Sequence, residues 1–232
     1  SVNLPGDARQ LRAGMSSEKK GFAMKRLVLG ALVLLAAACV SVADCPAVWQ
    51  GLGGGVSNGS VLALAQFQGE LMVGGSFTLT PGGPLHALGR FDETGWHSLG
   101  GGFYTGESVN AAAIYSDEFV VGGHFTIVGG LFASNVAAWD GANWHPLGAG
   151  LDSDVLALVP YQGQLVAGGY FSQAGGQQAR YIARWDGTAW YPIGAGMDSM
   201  VWALAVYNNR LVAGGSFTHA GGEVVNCVAE WL

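Results

Sequence analysis

From Trp49 onward, apolar residues come in short runs broken by Gly, Asn, Asp and Gln, and none carries the 3.6-residue spacing of an amphipathic helix. In one stretch the runs are Val155 to Leu158, Leu165 to Phe171, Tyr181 to Trp185 and Trp190 to Ile193. The segments between them are "YQGQ", "SQAGGQQA" and "DGTA", where Asp-Gly marks a tight turn and the middle segment reads as a long loop. The pattern predicts four short antiparallel strands in fewer than 50 residues.

The pattern recurs. Aligned on Trp49, Trp96, Trp144 and Trp190, the repeats are 47, 48 and 46 residues apart, and seven of the eight tryptophans occupy repeat positions, Trp202 being the exception. Each copy carries a glycine pair inside its second apolar run: Gly74-Gly75, Gly122-Gly123, Gly168-Gly169 and Gly214-Gly215. Repeated four-stranded units of this period predict an all-β fold, a β-propeller with four visible blades of 46–48 residues. Glycine inside a strand is unfavourable unless a neighbouring group must come close. The pairs are therefore expected to be packing positions, where the inner strand and the tryptophans of adjacent blades approach.

The "GGSFT", "GGHFT" and "GGYFS" strands and the "WDGANW" (139–144) and "WDGTAW" (185–190) hairpins make residues 49–232 resemble kelch-like propeller repeats of secreted and cell-surface proteins. The first copy departs, with "FDETGW" at 91–96, and the last ends at "EWL". The resemblance implies the propeller fold and is silent on activity, because this architecture hosts many functions.

Two closures are open to such a chain. The stretch around Trp49 has the phase of a fourth strand and could complete the last blade, giving a closed four-bladed ring; alternatively, the chain is a fragment of a larger propeller. In the closed ring, Cys45 and Cys227 fall about five residues apart along neighbouring strands, roughly 16 Å. A disulfide needs Cα atoms within about 7 Å, so no intrachain bridge is expected.

Charge narrows the partners. Beyond residue 43 four arginines (Arg90, Arg180, Arg184, Arg210) face fourteen acids, a surface that repels nucleic acid and anionic lipid. Met24-Lys25-Arg26, the apolar run Leu27 to Ala38, and Ser41 and Ala43 make residues 24–43 a secretory signal peptide with cleavage after Ala43. The run is too short for a comfortable span, so no membrane segment is expected after its removal. Ala36-Ala37-Ala38-Cys39 offers lipid anchoring at Cys39 as the alternative. Residues 1–23 read as an upstream segment outside the fold, and residues 44–232 as the propeller of a secreted, periplasmic or cell-surface protein.

Catalytic signatures are sparse. No lysine follows Lys25, which removes a Walker loop and Schiff-base chemistry, and HExxH, GxSxG and paired CxxC motifs are missing. His97 and His145 follow repeat tryptophans and read as outer-strand surface residues. Asp152-Ser153-Asp154 has the opening spacing of a calcium loop without its Gly and distal Glu, so it reads first as a solvated turn; no cofactor is expected, with calcium the alternative.

The remaining candidates sit on loops. In a propeller, loops entering each first strand emerge with those joining the second and third strands. The first set carries Asn58, Glu107, Asp152, Asp154 and Asp198, the candidate ligand-binding residues; the second carries Thr80, His86, Gln173, Gln177, Gln178 and His219. Replacing Asp152, Asp154 and Asp198 by Asn is expected to leave the fold intact. The function expected is a non-enzymatic recognition or scaffold module with a protein or carbohydrate partner. The alternative is a lyase, glycosidase or oxidase using carboxylates near the propeller axis.

Overall fold

The computed structural model describes residues 48–78 and 86–232. Two compact units are distinguished, residues 1–50 and 51–232. Of the first, residues 48–50 are described and are irregular and exposed. Trp49 thus does not occupy the fourth strand expected for it. The signal segment, Cys39 and Cys45 lie outside the described residues; Cys227 is exposed and free.

The second unit is entirely β among its described residues, with no helix. Its first sheet comprises β1 (Val61–Phe67), β2 (Glu70–Gly75), β3 (Leu88–Asp92) and β4 (Gly95–His97). The second holds β5 (Ser108–Tyr115) and β6 (Glu118–His124), then a small ribbon of β7 (Ile127–Val128) and β8 (Leu131–Phe132), then β9 (Val136–Trp139) and β10 (Trp144–Pro146). The third repeats this with β11 (Val155–Tyr161), β12 (Gln164–Gly169), ribbon strands β13 (Gln173–Ala174) and β14 (Gln177–Gln178), β15 (Ile182–Trp185) and β16 (Trp190–Pro192). The fourth has β17 (Val201–Tyr207), β18 (Arg210–Gly215), the ribbon β19 (His219–Ala220) and β20 (Glu223–Val224), and β21 (Val228–Trp231), so its main sheet has three strands.

All main-sheet pairings are antiparallel between strands consecutive in each sheet. The first hairpin of each sheet turns on two residues in the left-handed region, such as Gln162-Gly163 and Asn208-Asn209, the turn whose twist matches that of the strands it joins. The segment "SQAGGQQA", expected as a loop, is instead the ribbon β13–β14, turned at Gly175-Gly176. A Gly-Gly pair flanked by residues that pair across it satisfies backbone groups that a bare loop would leave to water.

Each innermost strand carries a bulge one residue after its first valine, between Val61 and Ala63, Val109 and Ala111, Val155 and Ala157, and Val201 and Ala203. The extra residue resets the alternation of faces, so residues three apart, Val201 and Leu204, point to the same side. They point at the preceding sheet. A methyl placed on Gly168 would lie 2.5 Å from Val201 Cγ1 and 3.3 Å from Leu204 Cδ1; on Gly122 it would meet Val155 and Leu158, and on Gly74 it would meet Val109. The second glycine of each pair lies against backbone: a methyl on Gly169 would strike the Asp154 carbonyl.

The first glycine of each pair in the first three sheets is therefore a socket for the next sheet's valine. Tryptophans, expected in this role, lie elsewhere: Trp185 packs on Gly148, and Trp144 and Trp190 donate Nε1–H to the Leu99 and Leu147 carbonyls at 3.1 and 2.8 Å. Core side chains gather in three clusters, each between two successive sheets. Burying one valine or leucine in such a joint contributes about 1.5–3 kcal/mol.

Among the described residues the sheets do not close into a ring, and the joint-forming faces of the first and fourth sheets are open. Adding a methyl at the third-sheet socket tests the joint. Gly168→Ala is expected to lower unfolding stability by about 1–3 kcal/mol in urea titration, through overpacking against Val201.

Candidate functional site

One end of each sheet gathers the loop that enters the innermost strand and the connection between the second and third strands. Asp152, in the loop between β10 and β11, precedes Val155 and faces the residues following β12. Its Oδ1 accepts from the Ser172 and Gln173 backbone N–H groups, both at 2.8 Å, and its Oδ2 from the Ser172 hydroxyl at 2.7 Å. The loop is further tied by Leu151 bridging to Ala174 and by Gly175 N–H donating to Gly150 carbonyl at 2.8 Å. Burial raises the Asp152 pKa, but the Gln173 and Ser172 hydrogen bonds outweigh it and hold the group below the ordinary carboxylate range.

Asp198 repeats this arrangement one sheet later. It accepts from the Thr218 and His219 backbone N–H groups and from the Thr218 hydroxyl at 2.6 Å, with His219 Nδ1 3.0 Å away. The Thr218 hydroxyl, ahead of the His219 backbone N–H, holds Asp198 well below the usual carboxylate range. Thr218, His219 and Asp198 thus tie the loop entering β17 to the residues that follow β18. Glu107 does the same work in the second sheet, accepting from Tyr104 N–H at 2.7 Å and Thr126 N–H at 3.2 Å.

Asp154 differs: its Oδ1 meets His124 Nδ1 at 2.6 Å, joining the third sheet to the end of β6 in the second. Asn58 lies in an exposed left-handed turn. Of the second loop set, Gln173 is held to Asp152, His219 to Asp198, His86 is half-buried, and Thr80 lies outside the described residues. The structure thus brings each carboxylate to a loop of its own or a neighbouring sheet. Among the described residues no three acids, histidines or cysteines cluster as a metal site would require.

Replacing Asp152 and Asp198 by Asn therefore also bears on the hydrogen bonds that tie their loops, whereas Asp154 makes none of this kind. What the sequence reading missed is aromatic. Tyr104 and Tyr170 are exposed at this end, as is Phe132 in the β7–β8 ribbon. Their signal was available, since Tyr170 stands where the other copies carry Ser76, His124 and Ser216 after the glycine pair.

Other acids close hairpins. Asp140 accepts from Ala142 and Asn143 N–H, and Asp186 from Thr188 and Ala189 N–H, which is what the "WDG" steps supply. In "FDETGW", Asp92 accepts from the Thr94 hydroxyl and N–H, and the pKa falls to about 2, with the hydroxyl the larger cause. The outer-strand histidines pair with acids, His97 with Asp92 at 3.1 Å and His145 with Glu118 at 3.0 Å.

A profile for the family described as "Domain of unknown function (DUF5122) beta-propeller" matches residues 163–185, from the β11–β12 turn through β15. No curated protein matches the chain. Among solved structures, the computationally designed Ika8 protein is 18% identical with a TM-score of 0.48, over 76% of this chain and 46% of that one, so the chain spans less than half of its length. The computationally designed Ika4 protein is 18% identical with a TM-score of 0.48, over 79% and 98%. The extracellular domain of the putative hybrid two component system BT4673 from B. thetaiotaomicron is 12% identical with a TM-score of 0.47, over 71% and 21%. Among the described residues no helix is long and apolar enough to cross a membrane.

Two outcomes follow from the ties. Asp152→Ala removes three hydrogen bonds and is expected to lower the melting temperature by about 2–4 °C, whereas Asp154→Asn, at an exposed pair, leaves it unchanged; differential scanning calorimetry reads both. Asp92 has a depressed pKa in the folded state, so its contribution is present above the unfolded value near 3.8 and is lost as pH falls through about 2. The stability difference between the native chain and Asp92→Ala, measured by urea unfolding, is therefore expected to shrink steadily as the pH falls from about 5 toward 2.

Proposed function

We propose that this β-propeller chain is a non-enzymatic recognition or scaffold module of an exported protein, and that it holds a glycan or protein partner on the end that bears the tied loops. The observation that carries the reading is the division of labour at that end. Carboxylates fix the loop pairs, while the rings of Tyr104, Phe132 and Tyr170 stand exposed on them. Aromatic faces on rigid loops supply contact area at little conformational cost, and a ring suits the C–H face of a sugar or an apolar side chain.

The Asp154–His124 pair adds an exposed hydrogen-bonding group between two sheets. Tyr170 is braced by Tyr181, with ring centroids 6.4 Å apart. In this reading the site uses no cofactor, and calcium enters only where a ligand brings oxygens to complete its shell. Export rests on the charged, apolar and small-residue pattern of residues 24–43.

Glycan and extracellular-protein arrays probed with the chain, with and without EDTA, supply the ligand. The double variant Tyr104→Ala/Tyr170→Ala is then expected to weaken binding by about tenfold or more, with Gln162→Ala and Asn208→Ala at the opposite turns neutral. Loss of binding in the opposite-turn variants alone, or chemical turnover of the bound glycan, would overturn the reading.

A further inference from the structure

At the loop end, each joint between consecutive sheets is built from the residue after the glycine pair, the two residues before the third strand, and the residue before the next sheet's first valine. Between the first and second sheets these are Ser76, His86, Ala87 and Ser108, and between the second and third His124, Ser134, Asn135 and Asp154. Between the third and fourth they are Tyr170, Arg180, Tyr181 and Met200. The correspondence is one of backbone: Ala87, Asn135 and Tyr181 all have positive φ and donate N–H to the Phe77, Phe125 and Phe171 carbonyls. The same backbone is made with other side chains at the first two joints, so two rings, a guanidinium and a thioether are not what the fold requires at the third.

The polar character changes with them. Asp154 meets His124 at 2.6 Å, whereas Met200 stands in the place of that acid, so the third joint lacks a carboxylate where it gains a cation. Arg180 is exposed, and its carbonyl accepts from Met197 N–H at 3.0 Å. Buried Gly196 leaves room for its stem, since a methyl there would lie 2.7 Å from Arg180 Cβ. Among the described residues the other arginines are engaged: Arg90 with Glu70 at 2.9 Å, Arg210 with Glu230 at 2.8 Å, and Arg184 with Gln164 at 3.1 Å and over the Tyr191 ring. The Arg180 guanidinium alone has no such partner among these residues.

We propose that this joint is a subsite for a uronic acid unit of a glycan, with the C–H face of the sugar on Tyr170 and its carboxylate on the Arg180 guanidinium. The inference rests on the reading that this end of the sheets holds a partner, and it names the ligand's chemical class. A uronic acid offers one flat apolar face and one planar pair of acceptors. Tyr170, braced by the Tyr181 ring at 6.4 Å, suits the first, and Arg180, next to Tyr181 in the chain, suits the second. An extended peptide needs backbone donors as well, and those of the flanking loops are engaged: Tyr170 N–H on the Asp154 carbonyl, Ser172 and Gln173 N–H on Asp152, Thr218 and His219 N–H on Asp198. The acids that dominate the rest of the surface repel an anion, which confines such a ligand to the unpaired cation.

Isothermal titration calorimetry of the full chain in EDTA tests this with oligosaccharides containing galacturonic, glucuronic, mannuronic or guluronic acid. Each is paired with its carboxyl-reduced form, in which a hydroxymethyl group replaces the carboxylate. At least one acidic oligosaccharide is expected to bind about tenfold or more tightly than its reduced counterpart. Arg180→Gln is expected to bring the acidic form down to the affinity of the reduced one and to leave the reduced one unchanged, while Arg180→Lys restores part of the difference. Tyr170→Ala is expected to weaken both forms alike. Because the side chains of Arg180 and Tyr170 are exposed, these variants are expected to fold, which circular dichroism and melting temperature verify.

Acidic and reduced forms that bind alike, an acidic form indifferent to Arg180→Gln, binding of none of the four sugars, or binding of a glutamate-rich peptide in their place would overturn the proposal. The two readings fail separately. A neutral glycan or a protein that loses affinity in Tyr104→Ala/Tyr170→Ala but not in Arg180→Gln ends this inference and leaves the recognition reading standing, whereas binding lost only in the opposite-turn variants ends both.

Discussion

The seating of a β-branched side chain in the space left by a missing one, between consecutive sheets, is the contact on which the rest of this fold depends. A sheet of three or four short strands buries little apolar surface by itself. Here the core lies in the three spaces between sheets, and each space is spanned by a valine from the innermost strand, joined by Leu158 and Leu204 in the second and third. The bulge is what allows both to point the same way, because without it residues three apart would face opposite sides. Glycine, bulge and valine are thus one device distributed over some 30 residues, and losing any part of it separates two sheets.

The same economy governs the charged residues. In a chain with so few cations, an unpaired acid has little to pair with except backbone N–H groups, and Asp92, Asp140, Asp152, Asp186 and Asp198 all find them. These bonds to an ionised acceptor are stronger than neutral ones and depress the pKa of every acid in the series. Loops held in this way present a firm edge to solvent, which is what a binding surface requires and what most surface loops lack. The acids are the foundation of that edge, and the rings of Tyr104, Phe132 and Tyr170 stand exposed beside them.

The period of 46–48 residues, the order of four strands, the hairpin turns and the packing role of the glycine pairs were all legible in the amino-acid sequence, because each is set by local chemistry: alternation, turn preference, and the cost of glycine in a strand. Which group fills the socket was not, since Val201 reaches Gly168 only through the register of two sheets separated by 33 positions. The fates of the candidate acids were hidden for the same reason. Asp152 and Asp154 are two residues apart and identical in type, yet one ties a loop of its own sheet and the other reaches a histidine 30 residues earlier. Hydrogen-bond partners of that kind are chosen by strand pairing and sheet stacking, which bring distant backbone together at distances that composition and spacing do not encode.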